Sequence, residues 1–156
     1  MGAKFVEAKK GVEILHWRFT GKELGRLHAT ISSSGQQALT IQDCLTAYIV
    51  TILNRCQEKP IRMVTNMGSY RRVKAPFVEE NVAGNAIQTI VTEQLPLDMV
   101  GIANAVRTSI IQSRDPQELE NWLSTATDRM LSTINSGKSL FFKSSDDVIN
   151  VNATSS

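Results

Sequence analysis

The fold is decided by residues 40–92, which contain the segments Thr40-Ile-Gln-Asp-Cys-Leu-Thr-Ala-Tyr-Ile-Val50, Ile61-Arg-Met-Val-Thr-Asn66 and Asn81-Val-Ala-Gly-Asn-Ala-Ile87. Thr40 suits a helix N-cap, and Asp43 lies in the first turn, where negative charge is stabilising. Apolar residues then recur at i, i+3 and i+4, at Ile41, Cys44, Leu45, Tyr48, Ile49, Ile52, Leu53 and Cys56. This spacing predicts a buried helix from Thr40 to about Cys56.

The residues after this helix predict two strands separated by a loop. β-branched residues from Ile61 to Thr65 predict a short strand, and residues 86–92 predict a second one. Residues 66–85 lack periodicity and carry Gly, Pro and several charges, which predicts a loop. A loop of this length in a compact domain is usually functional or mobile, so we look for ligand contacts there first.

The segment before this region predicts a strand and a helix. Polar and apolar residues alternate over residues 12–19, as they do in a strand. Thr20 and Glu23 then match a capping box, in which each side chain bonds the backbone of the other residue. The helix that they start is predicted to stop at residues 32–35, which read Ser-Ser-Ser-Gly.

The segment after residue 92 predicts two helices. Pro96 suits the first position of a helix whose apolar spacing continues to residue 110. Asp115 suits an N-cap, with Pro116 as the first helical residue of a long second helix. Gly137 is a plausible C-terminal cap for it, because glycine tolerates the left-handed conformation.

Short apolar segments at 140–142 and 148–151 predict two more strands. The predicted order is β-α-α-β-loop-β-α-α-β, which indicates an α+β protein with a mixed sheet backed by helices. A length of 156 residues suits one domain, 1–156, and we expect flexible ends at 1–10 and 152–156.

Composition argues against several classes of function. A net charge of +2 is too small to indicate a nucleic-acid-binding protein. No apolar run approaches the roughly 20 residues that a membrane span needs, and the N-terminus lacks the apolar region of a signal peptide. Cys44 and Cys56 lie about 18 Å apart along one predicted helix, too far to form a disulfide. These features predict a cytoplasmic protein without a metal site or a membrane partner.

Two groups of residues are candidates for chemistry. The only histidines are His16, on the predicted strand, and His28, which we expect on the protein surface. In the loop, Arg71 can bind a carboxylate or phosphate, Gly84 permits close backbone approach, and Asn85 offers both a donor and an acceptor. A solvated connection with a structural glycine would carry the same residues.

Several segments in this order resemble the C-terminal half of the BAHD-type, CoA-dependent acyltransferases. The matching segments are Phe19-Thr-Gly-Lys-Glu-Leu24, Thr40 to Ala47, Ile61 to Thr65, Ser69-Tyr-Arg-Arg-Val73, Pro76-Phe-Val-Glu-Glu80 and Val82-Ala-Gly-Asn85. The similarity runs from Phe19 to about Val151, and its departures from the plant pattern suit a divergent fungal member. The resemblance implies one half of the chloramphenicol-acetyltransferase-like fold.

The resemblance also implies roles for the loop residues. In the family, a His-x-x-x-Asp motif lies upstream of this region and an Asp-Phe-Gly-Trp-Gly motif downstream, and neither occurs here. Arg71 matches the arginine that pairs with the Asp of the first motif, whereas Gly84 and Asn85 match residues that line the channel for acyl-CoA and the acceptor. The catalytic His would come from an N-terminal half, so we expect this chain to be inactive alone, with Arg71 facing solvent.

Two alternatives stay open at this point. In the first alternative, the chain is a non-catalytic binding or interaction module of the same fold. In the second, it is an unrelated small α+β protein.

Overall fold

A computed structural model describes residues 13–33, 37–79, 84–137, 145 and 147–153. It contains four helices and three strands over these residues. The helices are α1 (Gly21–Ser32), α2 (Ile41–Cys56), α3 (Met99–Gln112) and α4 (Pro116–Asn135); the strands are β1 (Met63–Ser69), β2 (Ile87–Glu93) and β3 (Val148–Val151).

The strands form a mixed sheet in the order β2-β1-β3. β1 and β2 are antiparallel, with Met63 opposite Glu93 and Ser69 opposite Ile87. β3 runs parallel to β1, which places Met63 beside Val148. The α+β class and the mixed sheet backed by helices are thus confirmed.

The core lies between one face of this sheet and the first three helices. α3 contacts both β1 and β2 and also packs against α1 and α2. Fully buried apolar residues join these elements, namely Ile31, Cys44, Ala47, Val50, Val64, Ile102, Ala103 and Val106. The opposite face of the sheet leaves Met67, Ile87 and Val91 nearly half exposed.

Side-chain caps fix where each helix begins. Thr20 with Glu23 and Thr40 with Asp43 form complete capping boxes, as the sequence predicts for the first and suggests for the second. Asp115 accepts hydrogen bonds from the Gln117 and Glu118 amides at the start of α4. Each cap satisfies backbone N–H groups that have no partner within the helix.

An ion pair between α2 and α3 lies inside the protein. The Asp43 carboxylate is 1% exposed, and its Oδ2 lies 3.0 Å from Arg107 Nε. The same oxygen accepts hydrogen bonds from the Thr40 amide and hydroxyl, both at 2.7 Å. The Arg107 Nε–H is not aimed at this oxygen well enough for a hydrogen bond, so the attraction is mainly electrostatic.

Three predictions about the elements are wrong or incomplete. Residues 13–20 are extended but pair with no described strand, so the strand predicted at 12–19 is not part of the sheet. Pro96 does not start α3, because Asp98 caps it through the Gly101 amide at 2.7 Å. β1 continues to Ser69, four residues beyond the predicted end.

Other predictions hold or lie outside the described residues. α2, α4 and β3 are confirmed, and Gly137 follows α4 with φ +64°, as expected of a helix C-terminus. The strand predicted at 140–142 and the flexible end predicted at 1–10 fall outside the described residues. None of the helices in the described part of the chain is long and apolar enough to cross a membrane.

Candidate functional site

The three loop residues predicted from the sequence lie at one pocket. Arg71, Gly84 and Asn85 line a cavity of about 220 Å³ together with Tyr70, Phe77 and Glu79. The site assignment itself stays a prediction, but the structure brings these three residues together although 13 positions separate the first two.

The β1–β2 hairpin brings the two ends of the loop together. The Tyr70 amide donates to the Ala86 carbonyl at 3.0 Å, which continues the ladder one residue past Ser69 and Ile87. Arg71 and Asn85 are the next residues on either side, so the ladder sets their positions. The pocket therefore begins where the two strands separate.

The segment after Arg71 is a loop, as predicted, and turns organise it. The Val73 amide donates to the Tyr70 carbonyl at 2.9 Å, and the Val78 amide donates to the Ala75 carbonyl at 3.0 Å. Val73 is 8% exposed and anchors the segment. Single apolar residues in a polar stretch carry no periodic signal, and for this reason the pattern missed the anchor.

Arg71 turns toward the pocket. Its side chain is half-buried, and Nη2 donates a hydrogen bond to the Gly84 carbonyl. The expectation that Arg71 would face solvent is therefore wrong. Gly84 has φ +149°, a conformation that L side chains rarely adopt. A glycine is needed there because its backbone must turn its carbonyl toward the guanidinium.

The pocket combines charges of both signs with an apolar wall. Arg71 supplies a cation, Glu79 an exposed carboxylate, and Phe77 a ring that is 43% exposed. Asn85 is exposed and adds an amide that can donate and accept. Among the described residues, no histidine and no cysteine lines this pocket.

Neither histidine lies at the Arg71 pocket. His28 is half-buried, not a surface residue as predicted, and its Nε2 lies 2.9 Å from the Leu39 carbonyl oxygen and 3.3 Å from Ser32 Oγ. A carbonyl only accepts, so Nε2–H donates to the Leu39 oxygen. His28 thus ties α1 to the segment before α2. His16 is exposed, on the extended segment.

The two cysteines differ in their surroundings. Both thiols are free, with Cys44 buried and Cys56 exposed. Burial raises the pKa of the Cys44 thiol, and the neighbouring Asp43 carboxylate adds to this effect. Cys44 is therefore held as a neutral thiol in the core. Among the described residues, no group of three His, Cys, Asp or Glu could hold a metal ion.

A larger cleft was not anticipated from the sequence. It measures about 600 Å³ and lies between β2 and the turn that joins α3 to α4, with Thr89, Val91, Glu118 and Trp122 among its lining residues. Gln88 is 4% exposed and donates to the Ser113 carbonyl at 3.0 Å, which fixes this turn beside the strand. The sequence signal for this cleft was Gln88, a polar residue at an inward-facing position of the predicted strand.

Comparison with known proteins gives a likeness of fold. No protein family and no curated protein matches the chain by sequence. Among solved structures, the chain is similar to vinorine synthase, a BAHD acyltransferase, with a TM-score of 0.52 and 15% sequence identity. The match covers 86% of this chain and 30% of that one. At this identity the likeness concerns the fold alone, and this chain has an acyltransferase-like fold.

Proposed function

We propose that this chain is the C-terminal domain of a CoA-dependent acyltransferase that moves an acyl group from acyl-CoA to an alcohol or amine. One observation carries the proposal: Arg71, Gly84 and Asn85, which match the family pattern in order, share one pocket in an acyltransferase-like fold. The chain spans about 30% of the length of vinorine synthase, so activity, substrates and partners of a whole enzyme are part of the proposal.

The pocket at Arg71 forms one wall of a channel in this proposal. An N-terminal half of the same enzyme supplies the opposite wall and the catalytic His-x-x-x-Asp motif. General base catalysis needs a base within hydrogen-bond reach of the acceptor. His28 is committed to Leu39, and His16 is exposed on a segment away from the Arg71 pocket. In this proposal the isolated chain is inactive, and acyl-CoA enters as a co-substrate rather than a bound cofactor.

The remaining parts of the proposal are a cytoplasmic location and a divergent fungal enzyme as the source. Free thiols at Cys44 and Cys56 suit a reducing compartment.

We also propose a second function for testing, because neither histidine lies at the Arg71 pocket. The chain is then an interaction module of the same fold, with the Arg71 pocket used for binding without chemistry. The two proposals differ in what the pocket binds and in whether a complete enzyme turns over acyl-CoA.

The first experiment is a titration of the ¹⁵N-labelled chain with CoA, followed by amide chemical shifts. We expect the largest shifts at residues 70–79 and 84–86, and we expect Arg71→Ala to remove them. Arg72→Ala is the matched control, since this neighbouring arginine is exposed and outside the pocket. Shifts confined to another region, or an equal loss with both variants, would overturn the assignment of the pocket.

The second experiment measures CoA release by the isolated chain from acetyl-CoA with a panel of alcohols and amines. We expect no turnover above the uncatalysed rate. Turnover that disappears in His16→Ala or His28→Ala would contradict the proposal, because it would place the catalytic base within this chain.

A further inference from the structure

β2 has a free edge in the described structure. It is the outer strand in the order β2-β1-β3. Tyr70 and Ala86 form a hydrogen-bonded pair of the antiparallel ladder. Hydrogen-bonded and non-hydrogen-bonded pairs alternate along such a ladder, so Thr89 and Val91 belong to non-hydrogen-bonded pairs. The backbone N–H and C=O groups of Thr89 and Val91 consequently point away from β1. No described residue bonds to them.

This edge opens into the 600 Å³ cleft. Thr89 and Val91 line one side, and Asp115, Glu118 and Trp122 line the other. A row of unpaired backbone groups in a groove is the usual receptor for an added strand. The two carboxylates make the helical wall of the groove acidic.

The chain also has a strand-like segment without a partner. Residues 13–19 alternate in sequence and are extended, yet no described residue forms a backbone hydrogen bond with them. Ile14 is 80% exposed, Leu15 73% and Trp17 48%. Phe19 anchors the end of the segment by an edge-to-face contact with Tyr48, with 6.1 Å between ring centroids.

We propose that residues 13–18 of a second copy of this chain add to the free edge of β2, and that the exchange is reciprocal, forming a symmetric dimer. This proposal does not depend on acyl transfer. The edge has seven residues, and the six residues 13–18 cover all but one of them.

Charge and polarity fit the two surfaces together. Even-numbered residues of the added strand, Ile14, His16 and Arg18, share one side. In the proposed arrangement this side faces the wall that carries Asp115 and Glu118, so that Arg18 lies near charges of opposite sign. Odd-numbered Leu15 and Trp17 then lie beside the exposed face of β2 and extend its apolar surface. Pairs of aromatic and β-branched residues across neighbouring strands are stabilising.

The test is the solution mass of the chain by light scattering over a range of concentrations. We expect a dimer, twice the 17.2 kDa of one chain, with slow exchange of the Thr89 and Val91 amides. Val91→Pro removes an N–H that β1 does not use, and we expect a folded monomer; Val91→Ala keeps the N–H and should remain dimeric.

A second variant acts on the opposite surface. Trp17→Glu leaves β2 intact and should also give a monomer, with fast exchange at Thr89 and Val91, even if Val91→Pro fails to fold. A wild-type chain that stays monomeric at all concentrations, or a dimer that survives Trp17→Glu, would overturn the proposal.

Discussion

Removal of the buried carboxylate of Asp43 should destabilise the protein more than any other single charge change. The side chain is 1% exposed, caps α2 through Thr40 and lies 3.0 Å from Arg107 Nε on α3. Asp43→Ala leaves the guanidinium with 16% exposure and without its partner. Breaking a buried pair from one side costs about 3–5 kcal/mol, and loss of the hydrogen bond that the Thr40 amide donates to Asp43 costs about 0.5–1.5 kcal/mol.

The expected total lies near the lower end of the sum, at about 3.5–4.5 kcal/mol, because Arg107 is partly exposed to solvent and its Nε–H is poorly aligned. Asp43→Asn separates the two contributions, since its amide oxygen still accepts from the Thr40 backbone. We expect Asp43→Asn to cost clearly less than Asp43→Ala.

Urea unfolding of Asp43→Ala, Arg107→Ala and the double variant gives the coupling free energy of the pair. We expect a coupling of about 1–3 kcal/mol, with unchanged m-values. A coupling near zero, or equal losses for Asp43→Ala and Asp43→Asn, would show that the ion pair does not hold α2 to α3.

Three further outcomes follow from the same structure. Val50→Ala should lower the free energy of unfolding by about 1.5–3 kcal/mol, because this side chain is fully buried; calorimetry or urea titration measures it. Hydrogen bonds from Thr20 lower the pKa of Glu23 in the folded chain. The Glu23 carboxylate therefore stabilises the fold above the ordinary Glu pKa, and this stabilisation is lost as the pH falls through the lowered pKa. Unfolding of the wild type and of Glu23→Gln at several pH values should show that their difference in stability shrinks at low pH. A thiol reagent should label only Cys56 in the native chain and both cysteines after denaturation.

Helices were predictable from the sequence where a capping side chain or the spacing of apolar residues depends only on nearby residues. The caps at Thr20 and Asp115 act within one helical turn, and they located α1 and α4 correctly. The period of α2 predicted the helix but not its buried face: Ile41 is 47% exposed, whereas Ala47 and Val50 are fully buried. The face of α2 that is buried depends on how α1 and α3 pack against it. The sequence of α2 alone does not encode this packing.

The sequence predicted which residues line the candidate site but not how they are arranged in space. Arg71, Gly84 and Asn85 stood out by residue type and by resemblance. The contact between Arg71 and the Gly84 carbonyl depends on the β1–β2 ladder, whose register involves residues far apart in sequence. Polar and apolar residues do alternate over residues 12–19. A strand also needs a neighbouring strand to bond with, and the described residues supply none for this segment.

Sequencing of the complete transcript shows whether the chain is part of an acyltransferase, because the proposed enzyme needs a catalytic base outside this chain. The account predicts an in-frame His-x-x-x-Asp motif upstream of the segment that encodes residue 1. An in-frame stop codon upstream, with no such motif between it and this segment, would contradict the account and favour a binding module of the same fold.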